Sequence, residues 1–132
     1  MGKCAVGACV AVISALSYSV PARAHHSFSA EYDSNKPVSF SGVVTKVEWT
    51  NPHARVYVDV TDAKGAKNWN LELASPSALS RNGWTSRTVK IGDRVKVEGF
   101  DGRAANTFRM NATSIVLPDG RSLFSGANDD QR

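Results

Sequence analysis

Three histidines are the side chains of this sequence whose type and placement best suit chemistry: His25, His26 and His53. The first two follow Ala22-Arg23-Ala24, a tripeptide whose small outer residues fit the pocket of a signal peptidase, and Pro21 ends any helix just ahead of it. Cleavage after Ala24 makes His25 the first residue and gives it a free α-amine beside its own imidazole. Those two nitrogens can chelate one metal ion. A second imidazole, from His53 or His26, completes a three-nitrogen site resembling the histidine brace of secreted copper oxygenases. Nitrogen-only ligation in a tetragonal arrangement suits Cu(II), with Ni(II) or Zn(II) as alternatives. The plainer reading places His25 and His26 in a solvated lead-in, leaves His53 hydrogen-bonded within an Asn-Pro turn, and calls for no cofactor.

A second candidate is the outer face of two neighbouring strands, which carries Arg55, Tyr57, Asp59, Asn68, Asn70 and Glu72, with Trp49 and Asn51 in the loop at its edge. Mixed donors and acceptors around a tyrosine suit a glycan or a protein partner in the cell envelope. The alternative is an ordinary solvated strand face, since antiparallel sheets commonly leave one side in water. For an enzyme the sequence offers little. Ser27, His26 and Asp33 can be drawn together as a hydrolytic triad, but they sit on a lead-in with nothing to hold them. No catalytic residue is therefore assigned. A copper redox enzyme would need the histidine site plus an open coordination position. Gly99-Phe100-Asp101-Gly102-Arg103 lacks the lysine and spacing of a phosphate-cradling loop.

These residues depend on a chain read as exported. Lys3 opens it, and from Cys4 to Ala22 nothing is charged, the layout of a signal peptide over residues 1–24. An uncleaved membrane anchor is set aside because the run is rich in Ala, Gly and Ser and ends on its own cleavage site, and a lipoprotein cleaved before Cys9 because too little apolar chain precedes that cysteine. After cleavage no stable membrane insertion is expected, and the protein is periplasmic or secreted. Both cysteines, Cys4 and Cys9, leave with the signal, so no disulfide, thiolate or soft Cu(I) site of the transport-chaperone type remains. The mature chain has 132 − 24 = 108 residues, enough for one domain. Loss of Lys3 and Arg23 leaves 14 basic against 12 acidic residues, a net charge of +2 in place of +4. That modest balance, with no basic stripe among aromatics, argues against nucleic acid.

The elements that must position the candidates are mostly strands. An extended lead-in over 25–37 precedes a domain over 38–125 and a frayed tail over 126–132. Period-two alternation predicts strands over Val38–Trp49, His53–Asp62, Asn68–Ser75, Arg94–Phe100 and Phe108–Leu117. The first changes its inward parity near Gly42-Val43-Val44, where a bulge would let it serve both halves of a small barrel. Ala63–Lys67 is read as a hairpin loop, pairing Val60 with Trp69, Val58 with Leu71 and Tyr57 with Glu72. Ser75 and Pro76 start a short helix that Gly83 stops. Trp69 and Trp84 belong to the core. Three strands, a helix and two strands, in the order β-β-β-α-β-β, predict an all-β fold: a five-stranded OB-like barrel, with a seven-stranded sandwich as competitor.

At this point the chain resembles an uncharacterised family of small exported bacterial proteins, a domain of unknown function. The resemblance rests on Ala24-His25-His26-Ser27-Phe28, Val47-Glu48-Trp49-Thr50-Asn51-Pro52-His53-Ala54, Leu71-Glu72-Leu73-Ala74-Ser75-Pro76, Gly83-Trp84-Thr85 and Gly92-Asp93-Arg94-Val95. It implies export and a small β domain, and it supplies no activity.

Overall fold

The computed structural model describes residues 28–125, so the expected signal peptide, the lead-in residues 25–27 and the tail 126–132 lie outside the described part. Within it the chain runs α1 (Phe28–Glu31), β1 (Tyr32–Glu48), β2 (Arg55–Asp62), β3 (Gly65–Glu72), α2 (Pro76–Arg81), β4 (Arg94–Gly102), β5 (Arg109–Val116) and β6 (Ser122–Phe124). The fold is mostly β, with one sheet in the order β3-β2-β1-β4-β5-β6 and a parallel pairing of β3 with β5. Two elements depart from the expected order: α1 precedes the strands, and β6 adds a sixth. No helix among the described residues is long and apolar enough to cross a membrane.

Strand β1 is the shared element. Its segment from Pro37 to Val43 pairs with β4, and its segment from Val43 to Glu48 pairs with β2, with a register shift between Val44 and Lys46. Close approach at the crossing point demands glycine: a Cβ on Gly42 would collide with the Asp59 carbonyl oxygen and a Val58 methyl. The inward residues Val44, Val56, Val58, Leu71, Val97 and Ile115 form the centre of the core.

The β2–β3 hairpin is tighter than expected, and its register differs. Asp62 faces Gly65, with only Ala63-Lys64 between them, so the pairs are Val58 with Trp69, Val56 with Leu71, Tyr57 with Asn70 and Arg55 with Glu72. The turn closes because Gly65 takes a φ of 112° and the Asp62 carboxylate accepts from Lys64 N (2.7 Å) and Lys67 Nζ (2.7 Å). The slide is two residues, so every side chain keeps its expected face while changing its cross-strand neighbour.

Helix α2 follows its capping signals. The Ser75 side chain accepts from Ala78 N at 3.3 Å, Pro76 occupies the first turn, and Trp84 N returns to Leu79 O at 3.0 Å beyond Gly83. Trp84 is buried, and its Nε1 donates to Phe124 O at 3.1 Å. Strand β5 starts one residue later than expected because Phe108 adopts a φ of 44°, outside the extended region.

Candidate functional site

His53 sits where the β1–β2 loop rejoins the sheet. Ala54 N donates to Ala74 O at 3.0 Å and Leu73 N to Ala54 O at 2.9 Å, which ties the loop to the segment after β3. The half-buried His53 ring places Nδ1 3.0 Å from Leu73 O. A carbonyl oxygen only accepts, so Nδ1 carries the hydrogen, and the tautomer this selects is the one with its lone pair on Nε2. Metal-ligating imidazoles commonly have their second nitrogen held by a carbonyl or carboxylate, and a structural histidine can make the same contact. His25 and His26 lie outside the described residues. Among the described residues no group of three or more His, Cys, Asp or Glu is placed to hold a metal.

The outer strand face resolves into separate rungs. Arg55 joins its two neighbours, donating from NH1 to Asn70 Oδ1 at 3.2 Å and from NH2 to Glu72 Oε2 at 2.9 Å. Tyr57 turns the other way: its hydroxyl donates to Glu48 Oε2 at 3.1 Å, and Lys46 Nζ stands 5.1 Å from its ring centroid. Hydrogen bonds from Lys46 and then Tyr57 hold the Glu48 carboxyl below the ordinary carboxylate range. Further along, Asn68 donates to Asp59 Oδ1 at 2.7 Å and Thr45 Oγ1 at 3.0 Å. Arg55, Asn70 and Glu72 are thus brought together. Trp49 and Asn51 are not: Trp49 lines a narrow apolar cleft with Trp84, Leu73 and Val89, and Asn51 is exposed beside Pro52, to which it is joined by a cis peptide bond.

The residues that complete this rung come from the far ends of the chain. The Tyr32 hydroxyl donates to Glu72 Oε2 at 3.0 Å, and Arg109 NH2 lies 3.1 Å from Glu31 Oε2 and 3.6 Å from Glu72 Oε2. Glu72 is buried, and one of its oxygens faces a phenol and two guanidinium groups. Its Oε2 is thereby committed to donors on three other elements. Burial first, and then the Glu72 carboxylate, push the Tyr32 phenol well above the ordinary tyrosine range. Phe28 packs on the same assembly, its ring centroid 5.7 Å from that of Tyr32 and 5.8 Å edge-on from that of Phe100. Arg103 pins the segment from below, donating from N to Glu31 O (2.8 Å) and from Nε to Ser29 O (2.7 Å).

Residues 28–32 therefore form a strap across the outer side of β3, β5 and β4. Sequence reasoning missed it, since the Phe28-to-Tyr32 spacing of four was its only local signal and Tyr32 meets Glu72 forty positions away. Compared with known families, residues 12–111 match the model of a family of unknown function. No curated protein and no solved structure matches the chain.

Proposed function

Since the chain belongs to that family, DUF6152, its role must be read from its own residues, and we propose that it is an exported OB-type module that holds a divalent metal, Cu(II) first, between the His25 terminus and His53. The observation that carries this is the His53 ring, whose Nδ1 is committed to Leu73 O, so that Nε2 is the nitrogen left to meet a metal. Reach supports it as well. His53 rests on Leu73, the preceding residue Glu72 accepts from Tyr32, and the Tyr32 ring meets that of Phe28, three residues after His25. Three extended residues cover roughly 10 Å. His26 is the substitute ligand on the same segment. The OB-type reading is supported by the β3–β5 pairing, Leu71 with Met110, which joins two strands that are not neighbours in the sheet order. Export rests on Ala22-Arg23-Ala24 and the uncharged run before it.

The test is Cu(II) titration, with electron paramagnetic resonance to count nitrogen ligands, on protein exported through its own signal. Three variants accompany it: His25→Ala, His53→Asn, and one carrying an extra residue before His25. Asparagine keeps an N–H for Leu73 O and removes the Nε2 ligand. Each variant is expected to bind Cu(II) at least tenfold more weakly with fewer nitrogens. Equal binding by all four, or by none, rejects the site.

A second reading is favoured by the row Lys46, Tyr57, Asp59 and Asn68, which is half-buried to exposed on β1, β2 and β3. It is a metal-free surface for a glycan or envelope protein. In that case Tyr57→Ala weakens the partner's binding while leaving Cu(II) affinity unchanged.

A further inference from the structure

Ile91 is the most exposed large apolar residue among the described residues, at 71%. It does not sit on a loose loop. Lys90-Ile91-Gly92-Asp93 is a tight turn in which Asp93 N donates to Lys90 O at 3.1 Å, Lys90 N donates to Asp93 Oδ2 at 2.9 Å, and Gly92 takes a φ of 92°. Gly92 N donates to Val44 O at 2.8 Å and Val44 N to Asp93 O at 2.9 Å, which fastens the turn to β1. Ile91 is therefore held out at the tip of a fixed projection. An isolated surface isoleucine would need no explanation, but this one stands among cations. Lys90 precedes it and Arg94 follows three residues on, within roughly 10 Å of chain. Both are exposed, and among the described residues neither side chain has a hydrogen-bond or ion-pair partner. Beyond Arg94 the outer face of β4 opens into a shallow depression of about 370 Å³ lined by Ser41, Arg94, Lys96, Val116, Leu117 and Pro118. The neighbouring carboxylates are engaged, Asp93 by Lys90 N and Glu98 by Lys96 Nζ at 3.2 Å.

We propose that this face rests reversibly on an anionic phospholipid bilayer, with Ile91 entering the boundary between headgroups and acyl chains and Lys90 and Arg94 set against lipid phosphates. Burial of a small apolar area and attraction of cations to an anionic leaflet are the two contributions that hold a protein on a membrane surface. Shape selects the bilayer over a folded partner. A convex apolar tip needs a matching socket on a protein, whereas a fluid lipid boundary closes around it. The fixed turn presents Ile91 without an ordering cost. The contact stays at the surface, spans nothing, and is independent of the metal site.

The experiment is co-sedimentation of the exported protein with two vesicle preparations, pure phosphatidylcholine and phosphatidylcholine with about one third phosphatidylglycerol. Wild type is expected to bind the anionic vesicles at least tenfold more tightly than the neutral ones, and to lose that preference as salt is raised. Lys90→Gln with Arg94→Gln should weaken binding about 25-fold, from about fivefold for each cation. Ile91→Ser should weaken it about tenfold, and Ile91→Leu should restore it. Lys64→Gln, an equal charge loss on the β2–β3 turn, should change it less than twofold. All these sites are exposed, so an unchanged Tm accompanies each variant. Equal binding to the two vesicles, or none to either, overturns the proposal. So does an Ile91→Ser protein that binds like wild type, since only diffuse electrostatics would remain. Release by inorganic phosphate at constant ionic strength overturns it too, because the face would then hold a free anion and no bilayer. A Lys64→Gln loss as large as that of a single cation at the turn is equally fatal.

Discussion

At the scale of single residues, Glu72 organises the outer face, since the Tyr32 hydroxyl and the Arg55 and Arg109 guanidinium groups all converge on its Oε2. Tyr32 is the member whose removal can be read in solution. Burial and the adjacent carboxylate raise its phenol pKa, so the folded chain keeps a proton that the unfolded chain releases. The stability linked to it is fully present below the ordinary tyrosine value, about 10, and is lost as pH rises above that. Tyr32→Phe should cost about 1.5 kcal/mol at neutral pH by urea denaturation, the lower end for one hydrogen bond to a charged acceptor. It should also lack the wild type's alkaline loss, which reaches about 1.4 kcal/mol per pH unit above pH 10. Parallel stability curves for the two proteins would contradict the Tyr32–Glu72 contact.

Among the elements, β1 is decisive because it pairs with β4 along one part and with β2 along the next. Gly42 lies where the two pairings meet, and a methyl group there would strike the backbone of Asp59, which cannot swing aside as a side-chain end can. Gly42→Ala should therefore destabilise the domain by roughly 2–3 kcal/mol, the range of an overpacked core site, read as a lower denaturation midpoint. A change within a few tenths of a kcal/mol would mean that β1 and β2 can part at Gly42 without cost. The same element shows what the sequence left unsaid. Alternation revealed its apolar positions, but the segment from Tyr32 to Lys36 is polar and irregular in register, and its strand character comes from lying against β4.

For the whole molecule, export is the step on which the proposed metal site depends. Purified from the envelope, the protein should have an intact mass corresponding to residues 25–132, with His25 as its first residue by N-terminal sequencing. A mass that retains any part of 1–24 would leave no terminal chelate. A tag fused before His25 should abolish tight Cu(II) binding for the same reason, while a tag after Arg132 should leave it intact. Cleavage after Ala24 would also alter the electrostatics, lowering the net charge from +4 to +2 and removing both cysteines, so that stability would be left to packing and hydrogen bonds.

Local physics made part of this protein legible from the sequence alone. Alternating valines and leucines established which residues of β2 and β3 face inward, because side chains alternate strictly along a strand. Ser75, Pro76 and Gly83 determined α2, because caps act over a few neighbouring residues. The pairing partners were decided elsewhere. The two-residue turn at Ala63-Lys64 moved Glu72 from Tyr57 to Arg55, a slide that parity alone cannot detect. The strap's ion pair with Arg109, the commitment of Glu72 to Tyr32 and Arg109, and the placing of Asn111 opposite Glu72 join positions 37 to 78 apart, fixed only once β3 and β5 lie side by side. His53 shows both limits: its place in an Asn-Pro-His string was legible, but the carbonyl that sets which of its nitrogens is free came from Leu73, twenty residues on.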